Sequence, residues 1–416
     1  MKFLLTFLYL LFFSTSVLSD TKEITVEDIQ GNEINITTYP SNKDRLIIWL
    51  INHTEKRETF DNMFNAINAS GAEIWRVNLL ESYFMTRTKE NQLSLSGDGV
   101  FSLIKKAHDK NHKTILLVAS GRSSLALLRG VRKWQLDKKQ ESKIAGAVLF
   151  YPNLFGPTPL AGEKPILDPI VEATNIPIVV YQPESGRQRW HLKELMNAFW
   201  KADSPAFAHI IPEVRDWFYM GDKFRGNGVE DAIQKIPDQL KAYTDLMASY
   251  PKPTAPVKNI KKVQFKKTKN HLVEIKKKTI SPNLDLTDFN NKNINLKDHQ
   301  GKVILVNFWA TWCPPCVEEI PSLNKLGEFY KDQKFKIISV DFQETPETLM
   351  EFSKRIPINF PVLLDLDGKV SNQWKIFSFP SSFIIDKKGF IRYSVNQAIE
   401  WNHEDVKYVI DELLNE

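Results

Sequence analysis

Short apolar runs alternate with segments of helical periodicity along most of this chain of 416 residues. In the N-terminal half, the pattern predicts buried strands at 46–51, 73–79, 114–119, 145–151 and 176–182, and helices at 60–69, 100–111 and 123–134. Strands that alternate with helices over such a length are typical of a doubly wound, mostly parallel sheet. The expectation for residues 20–250 is therefore an α/β domain.

The C-terminal half repeats the alternation with shorter spacing. Strands are predicted at 302–310, 335–341, 360–364, 382–386 and 390–395, and helices at 314–330, 346–355 and 403–414. The Lys387-Lys388-Gly389 turn between the last two strands indicates a hairpin. Residues 280–416 are therefore expected to form a second α/β domain, with helices around a sheet.

The first residues have the pattern of a secretory signal peptide. Lys2 precedes an apolar stretch, and small residues follow before the charged Asp20. We predict a signal peptide at 1–19 and an exported, periplasmic protein. An uncleaved membrane anchor is the alternative.

Composition separates a linker from the two domains. Residues 251–278 hold ten lysines and one glutamate, a charge of +9, so the rest of the chain carries −4 of the net +5. We predict an extended Lys/Pro-rich linker at 251–279. The more specific alternative is that this segment makes weak contact with anionic lipid headgroups. Nucleic-acid binding is not expected, because Phe265 is the only aromatic residue there.

The chemistry is expected at the two cysteines, Cys313 and Cys316, the only ones in the chain. A pair three residues apart closes too short a loop to act as a structural staple. It lies between a predicted strand and a predicted helix, where the helix N-terminus favours a thiolate. This pattern indicates a redox-active disulfide. No metal site and no cofactor are expected.

The surrounding motifs resemble the TlpA/ResA/CcmG-like disulfide reductases of the thioredoxin superfamily. The resemblance covers residues 280–416 and rests on three segments. They are Val306-Asn307-Phe308-Trp309-Ala310-Thr311-Trp312-Cys313-Pro314-Pro315-Cys316 with Glu319 and Pro321, then Asp365-Leu366-Asp367-Gly368, and Phe379-Pro380-Ser381-Ser382-Phe383-Ile384-Ile385-Asp386. It implies a thioredoxin-like fold and the activity of a thiol-disulfide oxidoreductase.

The resemblance also implies roles for single residues. Cys313 would attack a client disulfide, and Cys316 would resolve the mixed disulfide. Glu319 would accept the proton of the buried thiol, a task that the amide of Asn307 cannot perform. An ordinary early-helix carboxylate is the alternative for Glu319. Client proteins would bind along a surface made of Trp312, Pro314, Phe379 and a cis-proline at Pro380.

The N-terminal domain resembles an α/β-hydrolase core that lacks hydrolase chemistry. The nucleophile elbow would fall at Ala119-Ser120-Gly121-Arg122-Ser123, which puts glycine in the place of the nucleophile. A shift by two residues puts Ser123 in the nucleophile position of Gly121-Arg122-Ser123-Ser124-Leu125, but Leu125 is too bulky for the last position. A triad of Ser123, Glu184 and His209 has the required chain order, but His209 lies inside an apolar run. We expect this domain to be non-catalytic.

The leading functional hypothesis is an exported reductase of protein disulfides. Family analogy adds a membrane thiol as electron donor and a link to cytochrome c maturation or antioxidant activity. Three alternatives stay open: a disulfide oxidase or isomerase, an esterase-like hydrolase with an attached redox domain, and a binding protein whose main unit is the N-terminal domain. The sequence leaves the client, the electron donor, the potential and the oligomeric state undetermined.

Overall fold

The computed structural model describes residues 21–51, 58–110, 112–137, 143–220, 228–253, 257 and 272–416. The predicted signal peptide and most of the predicted linker lie outside these residues. Within the described ranges, no helix has both the length and the apolar composition that a membrane crossing requires.

The first sheet, with its helices, forms the part that we call the N-terminal domain. Its eight strands are β1 (Lys22–Glu27), β2 (Glu33–Tyr39), β3 (Arg45–Leu50), β4 (Glu73–Val77), β5 (Thr114–Ser120), β6 (Ile144–Phe150), β7 (Ile178–Pro183) and β8 (Ala206–Ile211). Their order across the sheet is β1-β2-β4-β3-β5-β6-β7-β8. β2 runs antiparallel to both of its neighbours. The remaining strands, in the sheet order β4-β3-β5-β6-β7-β8, are parallel to one another.

Helices cover both faces of this sheet. They are α1 (Glu58–Ala69), α2 (Leu79–Ser82), α3 (Lys89–Ser94), α4 (Asp98–Asp109), α5 (Ser123–Asp137), α6 (Leu192–Lys201) and α7 (Val229–Ser249). One apolar core packs α4, α5 and α6 on one face, and a second core packs α1 and α7 on the other. The predicted doubly wound α/β sheet is confirmed. The resemblance to an α/β-hydrolase stays a prediction.

The second sheet and its helices form the part that we call the C-terminal domain. The strands are β9 (Val273–Ile280), β10 (Asp285–Thr287), β11 (Asn293–Asn295), β12 (Val303–Trp309), β13 (Phe335–Phe342), β14 (Val362–Asp365), β15 (Ser381–Ile385) and β16 (Phe390–Val395). The helices are α8 (Pro314–Phe329), α9 (Pro346–Arg355), α10 (Lys369–Gln373) and α11 (Glu404–Asn415). β10 and β11 form a separate hairpin, and the main sheet has the order β14-β13-β12-β15-β16-β9. The central strand β12, which leads to the cysteines, is buried along its whole length.

The predicted end of the linker at residue 279 is wrong. Val273–Ile280 forms β9, an edge strand that pairs with β16. Most side chains of this strand are exposed, including those of Lys276, Lys277 and Lys278. An edge strand tolerates solvated lysines, because its backbone pairs on one side only. The composition therefore resembles that of a linker although the segment belongs to the sheet.

The two domains contact each other through the loop that follows β6. The ring of Phe155 in this loop lies 5.3 Å from the ring of Phe377, and the ring of His191 lies 5.7 Å from it. The side-chain amide of Asn396 donates a hydrogen bond to the carbonyl of Pro159. These contacts bring the N-terminal domain close to the motif at residues 379–382.

Candidate functional site

The two cysteines form a disulfide at the start of α8. Their sulfur atoms are 2.08 Å apart, and Cys313 is the N-cap residue of the helix. Pro314 and Pro315 occupy the first helical positions, where a missing N–H costs nothing and the fixed φ of proline suits the helix. Cys316 is buried, with 1% of its surface exposed, and Cys313 is 5% exposed. The expected strand-to-helix placement of the pair is confirmed.

A buried acid holds the loop between β12 and the cysteines. The backbone N–H and the hydroxyl of Thr311 donate hydrogen bonds of 2.6 and 2.7 Å to the carboxylate of Glu344. Asp341, at the end of β13, lies opposite Trp309 in the parallel ladder. Burial, and then the charge of Glu344, raises the pKa of Asp341 well above its ordinary value. These acids were not among the predicted site residues.

Glu319 is buried and receives two hydrogen bonds. Asn307 Nδ2 donates to one carboxyl oxygen at 2.7 Å, and the indole nitrogen of Trp401 donates to the other at 3.0 Å. Burial raises the pKa of Glu319 to about 7, and these donors oppose part of the rise. Glu319 follows Cys316 by three positions in α8, so the two lie on the same side of the helix. The arrangement suits proton exchange with the buried thiol near neutral pH.

The predicted client-binding residues lie around the disulfide. The Phe379–Pro380 peptide bond is cis, as the resemblance implies. The ring of Trp312 meets the ring of Phe379 edge-on, with centroids 5.8 Å apart. Pro314 is exposed at the first turn of α8. The structure thus brings Trp312 and Phe379 together next to the cis-proline and leaves Pro314 open to solvent.

The structure does not assemble the triad of Ser123, Glu184 and His209. Ser123 begins α5 on one face of the first sheet, whereas the ring of His209 contacts the hydroxyl of Tyr243 in α7 on the opposite face. The carboxylate of Glu184 accepts a hydrogen bond from the backbone of Glu213. Gly121 has a φ of +55° in the turn between β5 and α5, a left-handed conformation that glycine adopts without strain.

Asn307 and Trp401 contribute to the site in ways that the sequence did not indicate. The sequence indicates only that the Asn307 amide cannot accept a proton, yet its Nδ2 donates to Glu319 and also to the hydroxyl of Ser382. Trp401 lies 82 positions from Glu319 and belongs to none of the recognised motifs. The sequence does not indicate Trp401 as a donor, because it comes close to Glu319 only in the folded chain. Among the residues described, no three His, Cys, Asp or Glu side chains are grouped to hold a metal ion.

Comparison with known proteins matches the C-terminal domain. The AhpC/TSA family model covers residues 278–394. A thiol-disulfide oxidoreductase ResA of Bacillus thuringiensis is 40% identical over 122 residues, which are 29% of this chain and 69% of that protein. ResA of Geobacillus kaustophilus is 33% identical over 132 residues, which are 30% of this chain and 76% of that protein.

Solved structures give matches to the same part of the chain. A thiol:disulfide interchange protein of the thioredoxin family from Chlorobium tepidum has 23% identity and a TM-score of 0.29, and the match covers 33% of this chain and 97% of that one. A thiol-disulfide oxidoreductase from Bacteroides fragilis has 22% identity and a TM-score of 0.29, with 33% and 100% covered.

Proposed function

The chain belongs, through its C-terminal domain, to the ResA-type thiol-disulfide oxidoreductases, and we propose from this membership that it is an exported enzyme that reduces disulfide bonds of client proteins. The observation that carries the proposal is the disulfide at the first turn of α8 with the buried carboxyl of Glu319 one turn further along. An attacking sulfur, a resolving sulfur and a proton acceptor are what dithiol–disulfide exchange requires.

Cys313 is the attacking residue in this proposal. In the reduced enzyme its thiolate attacks one sulfur of a client disulfide, the client S–S bond breaks, and a mixed disulfide forms as one client thiolate leaves. The helix N-terminus stabilises the thiolate before the attack. Cys313 is the N-cap, so its sulfur is the one at that end of the helix.

Cys316 completes the exchange with the help of Glu319. The carboxylate takes the proton of the Cys316 thiol, and the new thiolate attacks the sulfur of Cys313. The Cys313–Cys316 disulfide is restored, and the second client thiolate leaves. Two electrons have passed from the enzyme to the client. A dithiol donor must then reduce the enzyme, and we assign this step to a membrane thiol carrier.

Client proteins bind, in this proposal, along Trp312, Pro314, Phe379 and Pro380. A cis-proline beside a disulfide presents its neighbouring backbone groups to an extended peptide. The aromatic rings of Trp312 and Phe379 offer it a partly exposed apolar surface. The N-terminal domain docks a client or a partner without a reaction of its own.

Export and membrane contact are parts of the same proposal. Residues 1–19 direct the chain to the periplasm, and the lysine-rich segment before β9 has weak affinity for anionic phospholipids. Sedimentation of the full chain with phosphatidylglycerol vesicles checks this affinity. Binding that persists at high salt, or equals binding to phosphatidylcholine, would contradict it.

Trapping tests the exchange mechanism directly. The full chain with Cys316→Ala should accumulate mixed disulfides through Cys313, because the resolving thiol is missing. The matched control is the double variant Cys313→Ala/Cys316→Ala, which should trap nothing. Mixed disulfides are detected as mass shifts that a reductant reverses. The absence of any trapped protein in extracts that contain oxidised periplasmic proteins would argue against exchange.

The reduction potential separates a reductase from an oxidase or isomerase. We expect equilibrium titration of the full chain against glutathione to give a value nearer the thioredoxin end, about −270 mV, than the oxidant end, about −120 mV. Cys313→Ser, which cannot form the disulfide, is the blank. A value close to the oxidant end would overturn the reductase assignment and leave the oxidoreductase class intact.

A further inference from the structure

The N-terminal domain brings two arginines to the face of the C-terminal domain that carries the disulfide. The guanidinium carbons of Arg187 and Arg215 each lie 6.0 Å from the centre of the Trp312 ring. Trp312 directly precedes Cys313, and its ring also contacts Phe379. One aromatic ring is therefore in contact with cations from one domain and with the proposed client-binding surface of the other.

Arg187 is oriented by its own domain. Its backbone N–H and its Nε both donate to one carboxylate oxygen of Asp216, at 3.2 and 3.3 Å. The guanidinium carbon also lies 4.4 Å from the centre of the Trp217 ring. Burial raises the pKa of Asp216, and the charge of Arg187 opposes that rise. The N-terminal domain thus orients this arginine, with the guanidinium near both Trp217 and Trp312.

Arg215 has a different environment. Its Nη1 atom is buried and has no hydrogen-bond partner among the described residues. A buried donor without an acceptor is costly, so hydrogen bonding at this atom does not explain its position. Its charge does act across the domain boundary, because it lowers the pKa of Asp341 against the effects of burial and of Glu344.

Reduction of the disulfide allows a negative charge to form on Cys313, the residue that follows Trp312. The charged and titratable side chains of this region include Lys89, Arg122, Arg187, Arg215 and Asp216 from one domain, and Glu319, Asp341 and Glu344 from the other. Burial raises the pKa of Glu319 to about 7 and the pKa of Asp341 well above its ordinary value. Asp216 is already paired with Arg187. The two guanidinium groups favour the Cys313 thiolate, and the carboxylate of Glu344 opposes it.

We propose that Arg187 and Arg215 are positioning residues of the redox site, which hold the Trp312 ring against Phe379 and stabilise the Cys313 thiolate from the N-terminal domain. This inference rests on the proposed exchange function. It gives the N-terminal domain a part in the chemistry that goes beyond docking a client, since it sets how readily the attacking sulfur ionises. It also gives Trp312 a second role as the surface on which the two domains meet.

The pH dependence of Cys313 alkylation tests the proposal on the full, reduced chain. Iodoacetamide labelling followed by mass spectrometry gives the midpoint of thiolate formation. Arg187→Gln/Arg215→Gln should move the midpoint upward by about one pH unit, and each single variant by about half of that. Arg189→Gln is the matched control, because it removes the same charge from an exposed residue of the same segment. It should leave the midpoint unchanged.

Arg215→Gln is the decisive variant. Loss of the Arg187 side chain removes the hydrogen bond from its Nε to the buried Asp216 and can destabilise the domain, whereas the Nη1 of Arg215 makes no hydrogen bond among the described residues. An unchanged midpoint in Arg215→Gln, with an unchanged thermal unfolding temperature, would overturn the proposal. Arg215→Lys restores the charge and should restore the midpoint. Failure to do so would contradict the electrostatic role.

Failure of this inference differs from failure of the proposed function. If the wild-type chain reduces no protein disulfide, the proposed function fails whatever the arginine variants do. If the wild type does reduce a disulfide substrate such as insulin while the midpoint stays fixed in every arginine variant, only the inference fails.

Discussion

At the residue scale, Glu319 is placed where its charged form is disfavoured. Burial raises its pKa from 4.5 to about 7 although Asn307 and Trp401 both donate to it. The folded chain therefore loses stability as the pH rises from 4.5 through 7, by about 3 kcal/mol once the carboxyl is ionised. A glutamine would avoid this cost. A buried glutamate with a pKa near neutral is typical of a residue that transfers protons, which is the role proposed for Glu319.

Replacement of Glu319 by glutamine should slow the resolving step. In the wild type, the carboxylate form accepts the Cys316 proton above pH 7, so the rate should fall about tenfold per pH unit below 7. Glu319→Gln should lower the rate at pH 8 by about a hundredfold and remove this pH dependence. Stopped-flow oxidation of the reduced chain by glutathione disulfide measures the first-order step.

Glu318→Gln is the matched control for this prediction. Glu318 is the exposed neighbour of Glu319 in α8, so its loss removes a carboxylate without touching the buried thiol. Its rate and pH profile should match those of the wild type. An identical profile in Glu319→Gln would show that water or another group takes the proton.

The sequence predicts those site residues that lie close together along the chain. Cys313, Cys316 and Glu319 fall within seven consecutive positions, and the cis-proline lies in a recognisable motif. Glu344 and Trp401 contact Thr311 and Glu319 from 33 and 82 positions away. No local pattern distinguishes such a partner from an ordinary surface acid or a core tryptophan. These contacts exist only once the sheet and α11 are assembled.

At the element scale, the apolar pattern predicts the buried strands, including the edge strand β14, and misses the exposed edge strands β1 and β9. β3, β5 and β6 lie inside the first sheet and appear in the sequence as continuous apolar runs. β1 and β9 are edge strands with mostly exposed side chains. Backbone pairing holds an edge strand in place, and hydrophobic periodicity does not report backbone pairing.

The close crossing of α4 and α5 depends on Gly130, and the sequence pattern does not reveal this role either. A Cβ added to Gly130 would lie 2.4 Å from Cβ of Val100 and 2.8 Å from the carbonyl oxygen of Gly97. The helices can approach this closely only without a side chain there. Gly130→Ala should therefore lower the free energy of unfolding by about 1–3 kcal/mol. Denaturant unfolding followed by circular dichroism measures the change.

Gly327→Ala supplies the comparison. Gly327 also lies in a helix, α8, but its added Cβ would meet only the Ile337 side chain at 3.5 Å, an ordinary contact. Because alanine has the higher helix propensity, this variant should be neutral or more stable by up to about 1 kcal/mol. Equal losses in both variants would show that close packing at the α4–α5 crossing is not the cause.

At the scale of the whole molecule, the contact between domains places the arginines at the redox site. The contact uses the rings of Phe155, His191 and Phe377 and the amide of Asn396. Asn396 also accepts a hydrogen bond from Ser381, the residue that follows the cis-proline. A sequence pattern predicts two separate α/β domains and is silent about their relative placement. In the sequence, nothing distinguishes Phe155, His191 and Phe377, whose rings join the domains, from ordinary residues of loops and helix ends.

Phe377→Ala should loosen this contact. The substitution removes a buried ring that packs edge-on against both Phe155 and His191, and should weaken docking by about 2–3 kcal/mol. Small-angle scattering should then give a larger radius of gyration. Phe329→Ala is the control, because it removes an exposed ring from the end of α8. It should leave the radius unchanged.

The same variant connects the shape of the molecule to its chemistry. If the domains separate in Phe377→Ala, Arg187 and Arg215 leave Trp312, and the midpoint of Cys313 alkylation should rise as it does in the double arginine variant. A larger radius with an unchanged midpoint would mean that the arginines do not act on the thiol. An unchanged radius would mean that other contacts suffice to hold the domains together. A rise in both the radius of gyration and the midpoint would show that the association of the two domains controls how readily Cys313 ionises.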